Sequence, residues 1–177
     1  MALTKAQTQA AREFAIAAAN AFQSDGNLHP GTTVAGAART AGTMLYRTFP
    51  FAAHPYPPGE VVLSEEANTE GPALLGFAAQ YLTLAGISLE GFRADAEVPP
   101  RHRPTLPFLE TQRRLEPEFN AIRERNGLGA VEAAHAAAVA TGIVIQIVAK
   151  VMEPHVGLAI AAFAFVEGTK TAPAPLG

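Results

Sequence analysis

The chain contains no cysteine, which excludes disulfides, thiolate metal sites and cysteine nucleophiles together. With no oxidative scaffold, and with a polar opening over residues 1–7 where an export signal needs an apolar core, the expected location is cytoplasmic. Charge is also scarce. Only 16% of the residues are Asp, Glu, Lys or Arg, where roughly a quarter is ordinary. Against 49% apolar residues this predicts that a second copy of the chain covers part of the apolar excess, so a homodimer is expected. Long apolar runs are missing as well. Residues 136–149 make a 14-residue stretch that includes Gln146 and is followed by Lys150, Glu153 and His155. A membrane span needs about 20 such residues, so the stretch reads as core and no membrane partner is expected. Nor is there a basic excess. The net charge of −3 argues against a general nucleic-acid binder, and no nucleic-acid partner is expected.

What is abundant is alanine, 37 residues, with 15 glycines and ten arginines to three lysines, a bias typical of a GC-rich bacterial genome. The 177 residues fit one domain and bury a core without staples. Apolar spacing predicts an all-α, single-domain bundle of about five or six helices with Pro-rich connecting loops. A first helix is expected over residues 4–23, closed by Ser24-Asp25-Gly26-Asn27. A second begins at His29-Pro30 and reaches about Phe49, with Gly36 and Gly42 best explained by close approach of another helix. The linker over residues 50–59 carries Pro50, Pro55, Pro57 and Pro58. Val61-Val62-Leu63 has no strand partner evident in the sequence and reads as the lead-in to a third helix capped by Ser64. That helix is interrupted at Gly71-Pro72, as a kink or as two helices, and ends near Gly86.

Residues 87–106 read as a long irregular loop. A fourth helix runs from Thr105 or Pro107, bends at Pro117 and ends at Asn126-Gly127. The fifth, over residues 129–152, is apolar nearly all round and is expected at the centre of the protein, and a sixth follows over residues 154–168. An extended tail over residues 169–177 closes the chain.

Three constellations carry chemical content. Glu132 and His135 form a Glu-x-x-His pair on one helix face, the half-motif of a di-iron bundle. None of the other histidines repeats it, so no metal and no cofactor is called for. Glu66 and Glu70 share a helical face beside the Gly71-Pro72 break, where paired carboxylates bind cations or, more plainly, complement the helix dipole. Arg39 and Arg47 lie two turns apart beside Thr43 and Tyr46 and suit an anionic ligand or a neighbouring carboxylate, for which the Glu65–Glu70 cluster is the expected partner. Residues 60–97 hold seven acidic groups to one arginine, and residues 101–125 hold six arginines to four glutamates, so the two regions are expected to attract within or between chains. No nucleophile–base pair, phosphate loop or complete metal set is present, and no catalytic residue is assigned.

Residues 11–51 resemble the DNA-binding end of tetracycline-repressor-like regulators. The likeness lies in Thr32-Thr33-Val34, the Ala-rich stretch to Ala41-Gly42, and Leu45-Tyr46-Arg47-Thr48-Phe49. It implies an all-α transcriptional regulator with a recognition helix. The family's turn residues between the Ala-Gly and the Leu-Tyr are missing here, which predicts one continuous helix instead. Three functional expectations follow: a homodimeric binding or interaction module, a small-molecule binder or enzyme using Arg39, Arg47, Glu66 and Glu70, and the regulator.

Overall fold

The computed structural model describes residues 3–24, 27–53 and 56–176. Asp25 and Gly26 of the first expected turn, Pro55 of the linker, and residues 1–2, 54 and 177 lie outside the described residues. The described residues form six α-helices: α1 Lys5–Ala21, α2 Pro30–Tyr46, α3 Glu65–Leu84, α4 Phe108–Arg125, α5 Ala130–Val148 and α6 Pro154–Lys170. A two-residue antiparallel hairpin, Gln23–Ser24 with Asn27–Leu28, joins α1 to α2.

The helix ends follow from local chemistry. Thr4 accepts from the Gln7 N–H while the Gln7 side chain accepts from the Thr4 N–H, a reciprocal cap that satisfies two orphan donors of α1. Pro30 opens α2, and the His29 ring accepts from the Thr32 N–H. Ser64 caps α3 through the Ala67 N–H. α4 stops at Asn126, where Gly127 adopts φ +65°, the left-handed turn that glycine takes without penalty. Of the two readings of Gly71-Pro72, two separate helices is excluded: α3 is one helix with Pro72 inside it. Pro72 lies in the second turn on an exposed face, so its ring and missing donor meet solvent rather than a packed neighbour.

The centre of the molecule is α2, and the expectation that helix five holds this place is corrected. Every α2 residue from Gly31 to Tyr46 is buried, enclosed by α6, α5, α4 and α1, whereas α5 leaves Val131 and Ile147 exposed. α5 is long and apolar enough to cross a bilayer, yet most of it is covered by α1, α2 and α3. Apolarity favours α5, but enclosure also depends on size and on polar groups finding partners. Two α2 hydroxyls find them locally, Thr33 donating to the His29 carbonyl at 3.0 Å and Thr40 to that of Gly36 at 2.8 Å, while Thr43 Oγ1 has no partner among the described residues.

Small residues then let neighbours close in. A Cβ on Gly42 would stand 2.6 Å from the Phe165 carbonyl oxygen and 2.8 Å from the Cα of Gly168, so α2 and α6 touch backbone to backbone. Gly36 is close-packed too, but against the Phe22 ring rather than a helix. On the far side, Phe14 of α1 and Phe119 of α4 pack ring to ring at 4.4 Å.

The chain's end supplies a partner that the sequence hides. Val61 pairs with Thr171 in an antiparallel bridge, flanked by Val62 N–H to Lys170 carbonyl at 2.7 Å and Ala172 N–H to Glu60 carbonyl at 2.8 Å. The segment leads into α3 as expected, and an isolated bridge also ties it to the tail, which pins the loop before α3 to the end of α6. Because α2 is continuous and buried, residues 32–50 contain no helix–turn–helix and present nothing to a DNA groove.

The Gly42–Gly168 contact sets a testable limit. Gly42→Ala is expected to destabilise the fold by about 1–3 kcal/mol through overpacking, despite alanine's better helix propensity, as read from urea denaturation midpoints.

Candidate functional site

The two α2 arginines sit in different pockets of the fold. Arg39 points to α6, where its Nε donates to Glu167 Oε2 at 2.6 Å, and its Nη1 donates to the Leu106 carbonyl at 2.8 Å. Arg47, at the C-terminal cap of α2, faces α4. Its Nε donates to Glu116 Oε1 at 2.5 Å and its Nη2 to Glu116 Oε2 at 3.0 Å, a two-point pairing. Nη2 also reaches the Ala174 carbonyl at 2.8 Å. Gln112 closes the circuit, since its Nε2 donates to Glu116 and its Oε1 accepts from the Ala174 N–H at 3.0 Å. Glu116 is 1% exposed, so this carboxylate is held entirely by Arg47 and Gln112.

These partners correct the expected pairing. Arg39 and Arg47 meet Glu167 and Glu116, not the acidic cluster of α3, because α3 packs chiefly on α5 and α6 and turns its first turn outward. Glu66 and Glu70 are exposed and border a shallow cleft of about 520 Å³ with Leu45, Thr48, Phe49 and Val131. No single site brings the four expected residues together.

Glu132 and His135 are also used separately. Glu132 Oε2 accepts from the Gly129 N–H at 2.9 Å and so caps its own helix. His135 stacks on Phe77 at 4.4 Å with the rings 19° apart. Burial lowers its pKa, opposed by the charges of Glu70 and Glu132. Among the described residues no three of His, Asp and Glu gather as a metal-holding group.

Arg39 and Arg47 each border a cleft. The first, about 380 Å³, has Arg39 and Glu167 among its lining residues. Ile160 and Phe163 of α6 form one wall, and Val98 and Pro104 of the long loop form the other. The second, about 660 Å³, lies where the proline-rich linker meets the tail, lined by Tyr46, Arg47, Tyr56, Pro57 and Pro173. Burial raises the Tyr46 pKa, and the neighbouring Tyr56 adds to the effect.

Glu116 and Glu167 are the site residues that sequence reasoning missed, and both left a signal. Glu116 falls in the stripe Phe108, Thr111, Gln112, Leu115, Phe119, Ile122 that α4 buries, so its register alone places it inside. Glu167 is the one acidic residue within α6 and lies on an otherwise apolar helix.

The Arg47–Glu116 pair is expected to fail asymmetrically. Arg47→Met strands a buried carboxylate and should cost about 3–5 kcal/mol, whereas Glu116→Gln leaves a partly exposed guanidinium that water solvates and should cost distinctly less. Equilibrium denaturation of both variants at neutral pH measures the difference. For His135 the folded pKa lies below the unfolded 6.5, so the unfolded state binds the proton first as pH falls. Stability should therefore decline as pH drops through 6.5, and His135→Gln should flatten that slope in a thermal-melt series.

No known protein family, curated protein or solved structure matches the chain.

Proposed function

We propose that the chain works as a homodimeric helical binding module and that two copies meet through the outer face of α3. The observation that carries this reading is an exposed face of α3 that is uncharged from Thr69 to Leu84. Thr69, Pro72, Ala73, Gly76, Gln80, Thr83 and Leu84 fall on one side of α3 at helical spacing, and all are exposed. Residues 71–89 contain no Asp, Glu, Lys or Arg. Hydrophobic side chains mark both ends of the face, with Leu63 79% and Leu84 81% exposed.

Gly76 gives the face its direction. Gly42, Gly71, Gly142, Gly157 and Gly168 each face a neighbour within about 3 Å of where a Cβ would stand, but Gly76 faces nothing within 4 Å. A mid-helix glycine costs about 1 kcal/mol relative to alanine, and within one copy no contact offsets that cost. A second α3 crossing at Gly76 supplies the close approach that the other glycines find inside the fold.

Charge supports an antiparallel crossing. With Gly76 on the two-fold axis, Glu70 of one copy lies opposite Leu82 of the other, and Glu66 opposite Gly86. Near that end sits Arg12 of α1, which shares a groove with Tyr81 and Leu84 and has no ion pair among the described residues. In this arrangement Glu66 and Glu70 are recognition residues for a second copy.

Sedimentation equilibrium tests the reading. The wild type should behave as a dimer at micromolar concentration. Gly76→Lys should yield a monomer that melts close to a Gly76→Ala control under monomeric conditions, since lysine is nearly as good a helix former as alanine. Glu66→Arg and Arg12→Glu should each weaken the dimer by at least about threefold, and together should restore it, because the pair occurs twice about a two-fold axis. A wild type that sediments as a monomer overturns the proposal.

A further inference from the structure

We infer that the cleft floored by Arg39 and Glu167 is a binding site for small planar molecules that present an amide edge, a carbonyl acceptor beside an N–H donor, on an apolar body. The cleft opens between α6 and the loop over residues 87–106, and α2 forms its base. Its volume of about 380 Å³ falls in the range of about 300–1,000 Å³ common to small-molecule pockets. Such a charged pair at the base of an apolar slot supplies the few fixed polar groups that orient a ligand.

The polar edge can be read atom by atom. Arg39 is buried, and its Nε and Nη1 are committed to Glu167, the Leu106 carbonyl and Thr111 Oγ1, which fixes the guanidinium plane. Its Nη2 has no partner among the described residues and remains a donor. Glu167 uses Oε2 on Arg39, and its Oε1 likewise has no partner among the described residues and remains an acceptor, on a side chain 23% exposed. One residual donor and one residual acceptor are thus left on a neutral ion pair that lines the cleft. A carboxylate offers two acceptors and meets the Glu167 charge; an ammonium offers only donors and meets Arg39. An amide edge satisfies both atoms without bringing net charge into the cleft.

The walls select the rest of the ligand. Val98, Ile160 and the rim residue Phe163, itself 70% exposed, supply apolar contact for an aromatic or branched body. Asp95 at the rim is occupied by a two-point pairing with Arg93, at 3.2 and 3.1 Å, so it adds no competing free carboxylate.

Benzamide and benzoate are suitable probes, matched in size and opposite in their second polar atom. Isothermal titration and ligand-observed NMR on the wild-type chain should show benzamide binding and benzoate binding at least about tenfold more weakly, the value of about one good hydrogen bond. Glu167→Gln keeps an acceptor for Arg39 Nε while turning its free atom into a donor, so the preference should reverse toward benzoate. Phe163→Ala removes an exposed side chain, leaves the fold intact and should weaken benzamide several-fold. A wild type that binds neither probe at millimolar concentration overturns the inference, as does one that binds both equally. A folded Glu167→Gln variant with unchanged preference overturns it as well. The site is separate from the α3 face, so a chain that sediments as a monomer yet binds benzamide would refute the dimer alone.

Discussion

α2 is surrounded by protein on every side, and the other helices are arranged to make that possible. A helix in this position cannot carry a polar face, yet α2 includes four threonines, two glycines near its middle and an arginine. Short-range chemistry resolves most of the conflict, with Thr43 Oγ1 left unpartnered among the described residues. Thr33 and Thr40 bond back to their own helix, Thr32 bonds to the His29 ring and to Thr105, and Arg39 reaches out of the core to meet a carboxylate and a carbonyl. The glycines bring a neighbour's backbone so close that α6 lies along α2 with almost no side chain between them at Gly42.

Given that geometry, the two ion pairs do different work. Arg39–Glu167 spans the α2–α6 contact and holds the long loop through the Leu106 carbonyl, so it shapes a cleft wall as well as a helix interface. Arg47–Glu116 ties the end of α2 to α4 and to the tail, with Gln112 completing the network. A buried ion pair adds little net stability compared with a well-packed apolar substitute, but it tolerates only one relative placement of the elements it joins. Both pairs are better understood as fixing the register of α4, α6 and the tail on α2 than as reserves of binding energy.

The helical class, the six helices and most of their caps were legible in the sequence, because each depends on a local pattern. Thr4, Ser64, Pro30 and Gly127 act within a few residues of where they stand. The central helix was not legible, since apolar count ranked α5 first and gave no credit to threonines that satisfy themselves. The arginine partners were not legible either. Glu65–Glu70 were the nearest conspicuous acids, but pairing is decided by which helices touch, and α3 turned out to flank α5 and α6. Val61-Val62-Leu63 went unpaired for the same reason: its partner is the tail, which follows only after four further helices.

That last pairing has a consequence for how the molecule is made. The contacts that enclose α2 come largely from α5 and α6, and the bonds that fasten residues 59–62 come from residues 170–172. During synthesis α2 emerges early, and the helix it touches most extensively, α6, emerges only after α3, α4 and α5. Until then a strip of glycine, alanine and threonine backbone stands open, able to accept any other small-faced helix that drifts past. The nascent chain therefore stays open to mispairing until α6 packs, and the bonds from residues 170–172 to residues 59–62 act as the latch that ends it.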